Sequence, residues 1–147
     1  MLRVKILNEK AKMPQKAKMF DAGFDVFSCE EKTIGPMERY NFGLGIAIEF
    51  PENYMLMVSE KSGMAAKHGI QTIGNIIDAG YRGEIHAILQ NLSKEPVKIE
   101  IGQKIAQIIL LPCYTGNVIS RADELSYTDR KDGGFGSTGD GINEDPK

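Results

Sequence analysis

Apolar residues occur at every second position along much of the chain, which is the pattern of half-buried strands. Between Tyr40 and Phe50 this alternation is uninterrupted and predicts one long strand. The following Pro51-Glu52-Asn53 predicts a turn, because proline presets φ and asparagine tolerates unusual backbone angles. Residues 54–58 are then expected to return as the partner of that strand.

Other segments of the chain carry the same alternation or a short apolar run. They are residues 2–6, 85–89, 97–101 and 105–111. The last of them is apolar almost throughout, which suits a strand covered on both faces, and Pro112 is expected to end it. Helical periodicity is weak, with one or two turns predicted at 60–68 and at 118–125. Many short strands with few helical residues predict an all-β sandwich or barrel.

The C-terminal segment differs in kind from the rest of the chain. Five glycines lie close to a single aromatic residue, Phe135, which has no apolar neighbours with which to form a core. Glycine loses the most conformational freedom on ordering, so this segment is expected to be mobile until something holds it. We interpret residues 1–127 as a β-rich domain and residues 128–147 as an arm that closes on a planar, anionic ligand. A frayed tail is the alternative.

Composition and charge narrow the function classes. The 147 residues suffice for one domain with its own core, and no apolar run approaches the ~20 residues of a membrane span. A net charge of −2 argues against binding to a nucleic-acid backbone. Two cysteines are too few for a disulfide framework, and residues 1–5 lack the apolar core of a signal peptide. We therefore expect a cytoplasmic protein that binds neither nucleic acid nor membrane.

The glycine-rich residues 133–139 resemble a phosphate-binding loop. Glycines let backbone amides converge on phosphate oxygens, and Ser137 and Thr138 add hydroxyl donors. Arg130 supplies a guanidinium suited to phosphate just before them. The segment is not a Walker A loop, because no lysine precedes the serine, no strand leads in and no helix follows.

A second candidate for phosphate binding is the segment 59–65. It places Lys61, Ser62 and the Gly63 amide at the start of a short predicted helix. Unpaired amides and partial positive charge at the start of a helix favour a phosphate. The alternative is an ordinary helix cap by Ser59 or Ser62.

Carboxylates in two further segments are candidates for chemistry. Asp78 lies within residues 74–84, where the pattern predicts a hairpin between two apolar strands, and a carboxylate at the end of a buried strand is costly unless it is paired or functional. Asp21 and Asp25 flank Gly23 on extended chain. Two carboxylates together with substrate phosphate oxygens are a common Mg²⁺ arrangement. A turn cap at Asp78 and a surface turn at Asp21 and Asp25 are the alternatives.

Taken in order along the chain, these segments resemble the five motifs of the trimeric dUTP pyrophosphatases (dUTPases). The five segments are 21–25, 61–65, 77–84, 102–109 and 130–139. Each is moderately specific alone, whereas five in order, with strand alternation between them, are a strong signal. The resemblance covers nearly the whole chain.

The resemblance implies a fold, a reaction and two catalytic roles. The fold would be a jelly-roll-like β subunit of a homotrimer, with active sites at subunit interfaces. The reaction would be Mg²⁺-dependent hydrolysis of dUTP to dUMP and pyrophosphate. Asp78 would deprotonate a water for attack on the α-phosphorus, and Asp25 would hold the metal through water.

The resemblance also implies the contacts to the nucleotide. Those to the phosphates are expected from Lys61, Ser62, Gly63, Gln107, Arg130, Ser137 and Thr138. Those to the uracil and the sugar are expected from Asn75, Ile77, Tyr81, His86, Phe135 and Gly136. Phe135 would stack on uracil, backbone groups between Asn75 and Tyr81 would read its edge, and the Tyr81 ring would exclude a ribose 2′-OH.

The second motif departs from the family's usual Pro-Arg-Ser-Gly at Glu60 and Lys61. Lysine keeps the charge of arginine but lacks its bidentate fork, and Glu60 adds a negative charge next to the proposed phosphates. We therefore expect weaker binding of the triphosphate. A dCTP deaminase of the same fold and a non-catalytic, nucleotide-responsive binding protein are the alternative functions.

Overall fold

The computed structural model of the protein describes residues 2–116 and 118–131. The chain divides into two compact units, Met1–Thr115 and Gly116–Lys147. The described residues of the second unit form neither helix nor strand, so the helix predicted at 118–125 is wrong. Eight residues cannot offset the cost of nucleating a helix unless tertiary packing supports it. The predicted start of the C-terminal arm at residue 128 stays a prediction.

The first unit consists of short strands and one short helix. In chain order they are β1 Arg3–Ile6, β2 Phe24–Phe27, β3 Lys32–Ile34, β4 Arg39–Gly43, β5 Ile46–Glu49, β6 Tyr54–Ser59, α1 Ser62–His68, β7 Ile70–Ile73, β8 Ile76–Ile77, β9 His86–Asn91, β10 Val97–Ile99 and β11 Lys104–Pro112. The predicted all-β fold class is confirmed. No helix in the described part of the chain is long and apolar enough to cross a bilayer.

The strands pair antiparallel in four small sheets. Their orders are β1-β5, β10-β3, β2-β11-β6-β8 and β4-β9-β7. The inner faces of all four sheets contribute to one apolar core. Its buried members are Val26, Ile34, Phe42, Leu44, Ile46, Ile48, Phe50, Leu56, Val58, Met64, Ile70, Ile85, Ala87, Leu89, Ile99, Ile105, Ala106 and Ile108.

The single strand predicted between Tyr40 and Phe50 is two strands that lie in different sheets. β4 pairs with β9 and β5 pairs with β1, with the break at Gly45. Gly45 has a φ of 65°, a left-handed conformation that only glycine adopts without strain, and a Cβ there would overlap Ala11 and Cys29. Residues 54–58 do form a strand, β6, but it pairs with β11 and β8 and not with the preceding strand as predicted.

The hairpin predicted at 74–84 is a loop that connects two sheets. β8 pairs with β6, whereas β9 pairs with β4 and β7, so the two strands that flank the loop are not partners. Between the two strands, side chains of the loop satisfy the carbonyls of Ala79, Tyr81 and Glu84, and the Ile85 backbone bonds to Leu44 and Ile46. Asp78 is therefore the first residue of a connecting loop.

Strand β11 is the element that positions the candidate site. It lies between β2 and β6, and the two registers place Gln107 opposite both Asp25 on β2 and Ser59 at the end of β6. Three segments that are far apart in the sequence therefore lie side by side. The turn at Lys61, Ser62 and Gly63, here called the Lys61 turn, follows shortly after β6.

Candidate functional site

The first part of the candidate site is a polar cavity of about 260 Å³, here called the Lys61 pocket. It is lined by Ala17, Asp21, Ala22, Gly23, Asp25, Lys61, Ser62, Gly63 and Gln107. Three of the five segments singled out in the sequence meet here, because β11 carries one of them and pairs with the strands next to the other two. The pocket offers an ammonium, a hydroxyl, an amide side chain and two carboxylates.

Asp25 is the charged centre of the Lys61 pocket. Only 7% of the residue is exposed, and each carboxylate oxygen contacts an ammonium group: Oδ1 that of Lys61, and Oδ2 that of Lys104 at 2.8 Å. Burial by itself would raise the pKa of Asp25, but hydrogen bonds from Lys104 and Lys61, together with their charges, lower it below the ordinary 3.8. Asp25 is therefore ionised at neutral pH.

We expect Asp25→Asn to lower the free energy of unfolding by about 2 kcal/mol at pH 6, because two ammonium groups lose their counter-ion. The folded pKa lies below the unfolded one, so the stabilisation is present above about pH 4 and disappears as the pH falls through the folded value. Urea unfolding followed by circular dichroism at pH 6 and pH 2 measures this. The exposed Asp123→Asn is the matched control, and an equal gap between Asp25→Asn and the unmodified protein at both pH values would contradict the assignment.

Gln107 and Gly23 fit closely against each other. A Cβ built on Gly23 would overlap Oε1 of Gln107, so any larger residue at position 23 would require the Gln107 side chain to shift. The Gln107 amide donates through Nε2 to the carbonyl oxygen of Glu60 at 3.0 Å. An amide nitrogen has two hydrogens, so one donor of Gln107 is left to face the pocket.

The two carboxylates of the pocket are the predicted ligands of a magnesium ion, and both already have partners. Asp25 is engaged by two lysines, and Oδ2 of Asp21 accepts the Lys18 backbone amide at 2.8 Å. Within residues 2–116 and 118–131, no group of three or more His, Cys, Asp or Glu side chains is placed to hold a metal. This donor set fits a hard cation only when a ligand's phosphate oxygens supply most of the coordination.

The second part of the candidate site, here called the Asp78 cleft, has a volume of about 440 Å³. It is lined by Glu52, Tyr54, Met55, Asp78, Ala79, Gly80, Cys113 and Thr115. Asp78 is exposed and shares no lining residue with the Lys61 pocket. No pattern in the sequence indicates that Cys113 and Asp78 line the same cleft.

The backbone of the Asp78 loop is held by hydrogen bonds within the loop. The Asp78 carbonyl accepts the Tyr81 amide at 3.0 Å, and the Arg82 guanidinium donates to the carbonyls of Ala79 at 2.6 Å and Tyr81 at 2.9 Å. The Tyr81 hydroxyl donates to the carbonyl of Glu84 at 3.0 Å. The Tyr81 ring is thereby fixed while 45% of the residue stays exposed to a ligand.

The other residues predicted to read the base lie around the Asp78 loop. Asn75 and Ile77 are half-buried at β8, and His86 is exposed at the start of β9, where its Nε2 lies 4.0 Å from Oε2 of Glu84. In the part of the chain that the structure describes, Oδ1 of Asn75 is buried without a hydrogen-bond partner. Such an atom is costly unless a ligand or a water satisfies it.

The pocket and the cleft lie at opposite ends of β6. Strand β8 pairs Ile77 with Leu56, which brings Asp78 beside Met55, whereas the Lys61 turn follows Ser59. Ser59 is four positions after Met55, or roughly 13 Å along a strand. One chain therefore does not bring Asp78 close to its own Lys61.

The remaining predicted residues belong to the C-terminal segment. Arg130 is exposed and belongs to the unit Gly116–Lys147. Phe135, Gly136, Ser137 and Thr138 lie outside the described residues. Their predicted contacts with the base and the phosphates stay predictions.

Two features of the site were missed at the level of sequence. Lys104 belongs to the fourth motif-like segment, but the sequence analysis assigns it no role. Its contact with Asp25 follows from the pairing of β2 with β11. Glu60 was expected beside the phosphates, but its carboxylate accepts a hydrogen bond from Thr72 at 3.0 Å and does not line the Lys61 pocket. Both contacts depend on how the sheets are arranged in the fold, and no local pattern in the sequence reports them.

The protein has an all-β fold, a polar pocket suited to phosphate oxygens and a separate cleft that contains a carboxylate. This combination is typical of enzymes that act on nucleotides. A family model described as dUTPase matches residues 9–139. The chain is 46% identical over 140 residues to a deoxyuridine 5′-triphosphate nucleotidohydrolase of Clostridium novyi (strain NT), a match that covers 94% of this chain and 98% of that protein. The chain belongs to the dUTPase family.

Solved structures agree with this assignment. A mutant dUTPase of Staphylococcus bacteriophage 80alpha with dUpNHpp has a TM-score of 0.86 and 27% identity, covering 95% of this chain and 98% of that one. A mutant dUTPase from phage phi11 of S. aureus, described for its coordination of a structural Mg(II) ion, has a TM-score of 0.80 and 25% identity over 86% of this chain and 99% of that one. The predicted jelly-roll-like fold is that of this family.

Proposed function

We propose that this chain hydrolyses dUTP to dUMP and pyrophosphate. The observation that carries the proposal is the Lys61 pocket, where β11 brings together three segments that are distant in sequence and that offer donors to phosphate. The names of the matched relatives and the bound dUpNHpp of the phage protein support the choice of a deoxyuridine triphosphate.

Asp78 is the proposed general base. Its exposed carboxylate opens into the cleft and takes a proton from a water, whose oxygen forms a bond to the α-phosphorus. The bond from that phosphorus to the α–β bridging oxygen breaks, and pyrophosphate leaves with the electron pair. Hydrogen bonds within the loop hold Asp78 in place, so the residue supplies position and basicity without covalent chemistry.

The phosphates are held by the Lys61 pocket in this proposal. Lys61, Ser62 and the Gly63 amide, with the second amide hydrogen of Gln107, donate to phosphate oxygens. Arg130, Ser137 and Thr138 of the C-terminal segment add donors at the γ end. Asp25 would hold a magnesium ion through water, and such an ion would supply positive charge against the leaving pyrophosphate.

The base and sugar contacts are proposed around the Asp78 loop. Backbone groups at Asn75, Ile77 and near His86 face the uracil edge, and a fixed backbone rejects cytosine by leaving buried polar groups unpaired. The Tyr81 ring is held by its own hydrogen bond to Glu84, so a ribose 2′-OH cannot displace it easily. Phe135, with Gly136 beside it, stacks on the uracil ring.

A complete site needs more than one copy of the chain. A general base must lie within hydrogen-bond reach of the attacking water, and the phosphates extend only a few ångströms from that point. Because Asp78 and Lys61 of one chain lie at opposite ends of β6, we infer that Lys61 of one copy serves Asp78 of another. In a homotrimer, rotational symmetry repeats the same contact between neighbouring copies, so each Lys61 pocket can face the Asp78 cleft of a neighbour.

The proposal is tested by supplying dUTP, dCTP, dTTP, dATP, dGTP and UTP separately with Mg²⁺ in ¹⁸O-labelled water. We expect pyrophosphate and labelled dUMP from dUTP, with at least about a hundredfold lower rates for the others. The label must lie in dUMP, because water attacks the α-phosphorus. Ammonia from dCTP would indicate a deaminase, and binding of dUTP without products would indicate a non-catalytic binding protein.

A further inference from the structure

Glu60 stands directly before the Lys61 turn, and its side chain points away from that turn's ligand side. Its Oε2 accepts a hydrogen bond from Thr72 Oγ1 at 3.0 Å, and Thr72, on β7, is only 2% exposed. Glu60 lines a different cavity, of about 230 Å³, together with Ala65, Gly69, Ile70, Gln71 and Leu92. A carboxylate at this position is therefore held by a buried hydroxyl donor.

The backbone of Glu60 is anchored as well. Its carbonyl oxygen accepts the Gln107 Nε2 hydrogen bond at 3.0 Å, so the residue is tied to β7 through its side chain and to β11 through its backbone. Two sheets thereby fix the point from which the Lys61 turn departs, because β7 and β11 belong to different sheets.

Apart from the ion pair between Lys61 and Asp25, the turn depends on such anchors for its position. Lys61 precedes α1 as its N-cap residue, with no side-chain capping hydrogen bond, and α1 has only seven residues. A helix of that length is not stable by itself and takes its direction from tertiary contacts. A Cβ built on Gly63 would meet no atom within 4 Å, so the Gly63 end of the turn lies in open space.

We propose that Glu60 is a positioning residue: through Thr72 and Gln107 it fixes the Lys61-Ser62-Gly63 turn for phosphate and keeps its own charge out of the Lys61 pocket. The proposal rests on the proposed function, in which that turn binds the phosphates of dUTP. It gives the Glu60-Lys61 pair a role other than weakening the site. Thr72 acts only through Glu60 and touches no ligand.

Thr72→Val tests this proposal, because valine keeps the shape of threonine and removes the donor. We expect KM for dUTP to rise about tenfold and kcat to change less than about threefold, since the general base is untouched. Thr72→Ser keeps the hydroxyl and restores the parental KM. Glu60→Gln keeps an oxygen acceptor and leaves KM within about twofold. Thr33→Val, on an exposed position of β3, is the matched control.

Three results would overturn the proposal. The first is an equal KM in Thr72→Val and Thr72→Ser, and the second is a parental KM in Glu60→Ala. The third is a KM lowered severalfold by Glu60→Gln, which would mean that Glu60 repels the triphosphate. Thermal unfolding midpoints check that the variants fold, and Glu60→Ala removes the same hydrogen bond from the half-exposed side should Thr72→Val fail to fold.

Pyrophosphate affinity, measured by calorimetry with Mg²⁺ present, separates this proposal from the proposed function. If the unmodified protein fails to hydrolyse dUTP, the function is wrong and the affinity decides the positioning role alone. An affinity about tenfold weaker in Thr72→Val than in the unmodified protein supports the role, and an equal affinity overturns it.

Discussion

Asp78→Asn is expected to lower kcat for dUTP by about a thousandfold and to leave KM near that of the unmodified protein. The asparagine has nearly the same shape as the aspartate but cannot take a proton from the attacking water at neutral pH. Binding is preserved in this prediction because the substitution leaves every phosphate donor of the Lys61 pocket in place. Steady-state kinetics with pyrophosphate detection measure both constants.

The control for this variant is Asp123→Asn, which makes the same chemical change at an exposed carboxylate of the second unit. We expect it to leave kcat unchanged. Because Asp78 is exposed, Asp78→Asn is also expected to change the free energy of unfolding by less than about 0.5 kcal/mol. A kcat within tenfold of the unmodified protein would show that another group activates the water.

The all-β fold could be predicted from the sequence because half-buried strands have a period of two that is visible in a single segment. The predicted strands at 2–6, 85–89, 97–101 and 105–111 all overlap strands of the structure. Strand ends and partners were less predictable. The break at Gly45 depends on contacts with Ala11 and Cys29, which no local pattern contains.

The membership of the Lys61 pocket was predicted better than its electrostatics. Asp25, Lys61, Ser62, Gly63 and Gln107 were singled out as ligands and do lie together. The pairing of Asp25 with two lysines was not predicted, because it arises where β2, β6 and β11 meet. Motifs report which residues a site contains, whereas strand register decides which charges touch.

The same limit applies to the distance between the two halves of the site. Asp78 and Lys61 are only 17 positions apart in the sequence. In the structure, however, Asp78 lies near the start of β6 and Lys61 follows its end. A single chain with the right residues is therefore insufficient for the reaction. This separation makes the use of several copies a physical requirement of the proposed mechanism.

Mixing two inactive variants is expected to restore activity. Asp78→Asn keeps the Lys61 pocket and Lys61→Ala keeps the general base, so a site formed by one copy of each has both groups. If equal amounts of the two variants assemble at random, about one quarter of the sites between copies combine an intact pocket with an intact base. Co-refolding from urea, followed by the dUTP assay, is expected to recover about that fraction of the parental rate.

The control for the mixing experiment replaces Lys61→Ala by the double variant Lys61→Ala/Asp78→Asn. No site in that mixture contains Asp78, so the rate is expected to stay at the level of Asp78→Asn alone. Differently tagged copies must co-purify, which shows that mixed assemblies have formed. If they do co-purify and the first mixture regains nothing, Asp78 and Lys61 act within one chain, and the β6 strand would have to rearrange when dUTP binds. Recovery in the first mixture alone means that the water is activated by one copy and the phosphates are held by its neighbour.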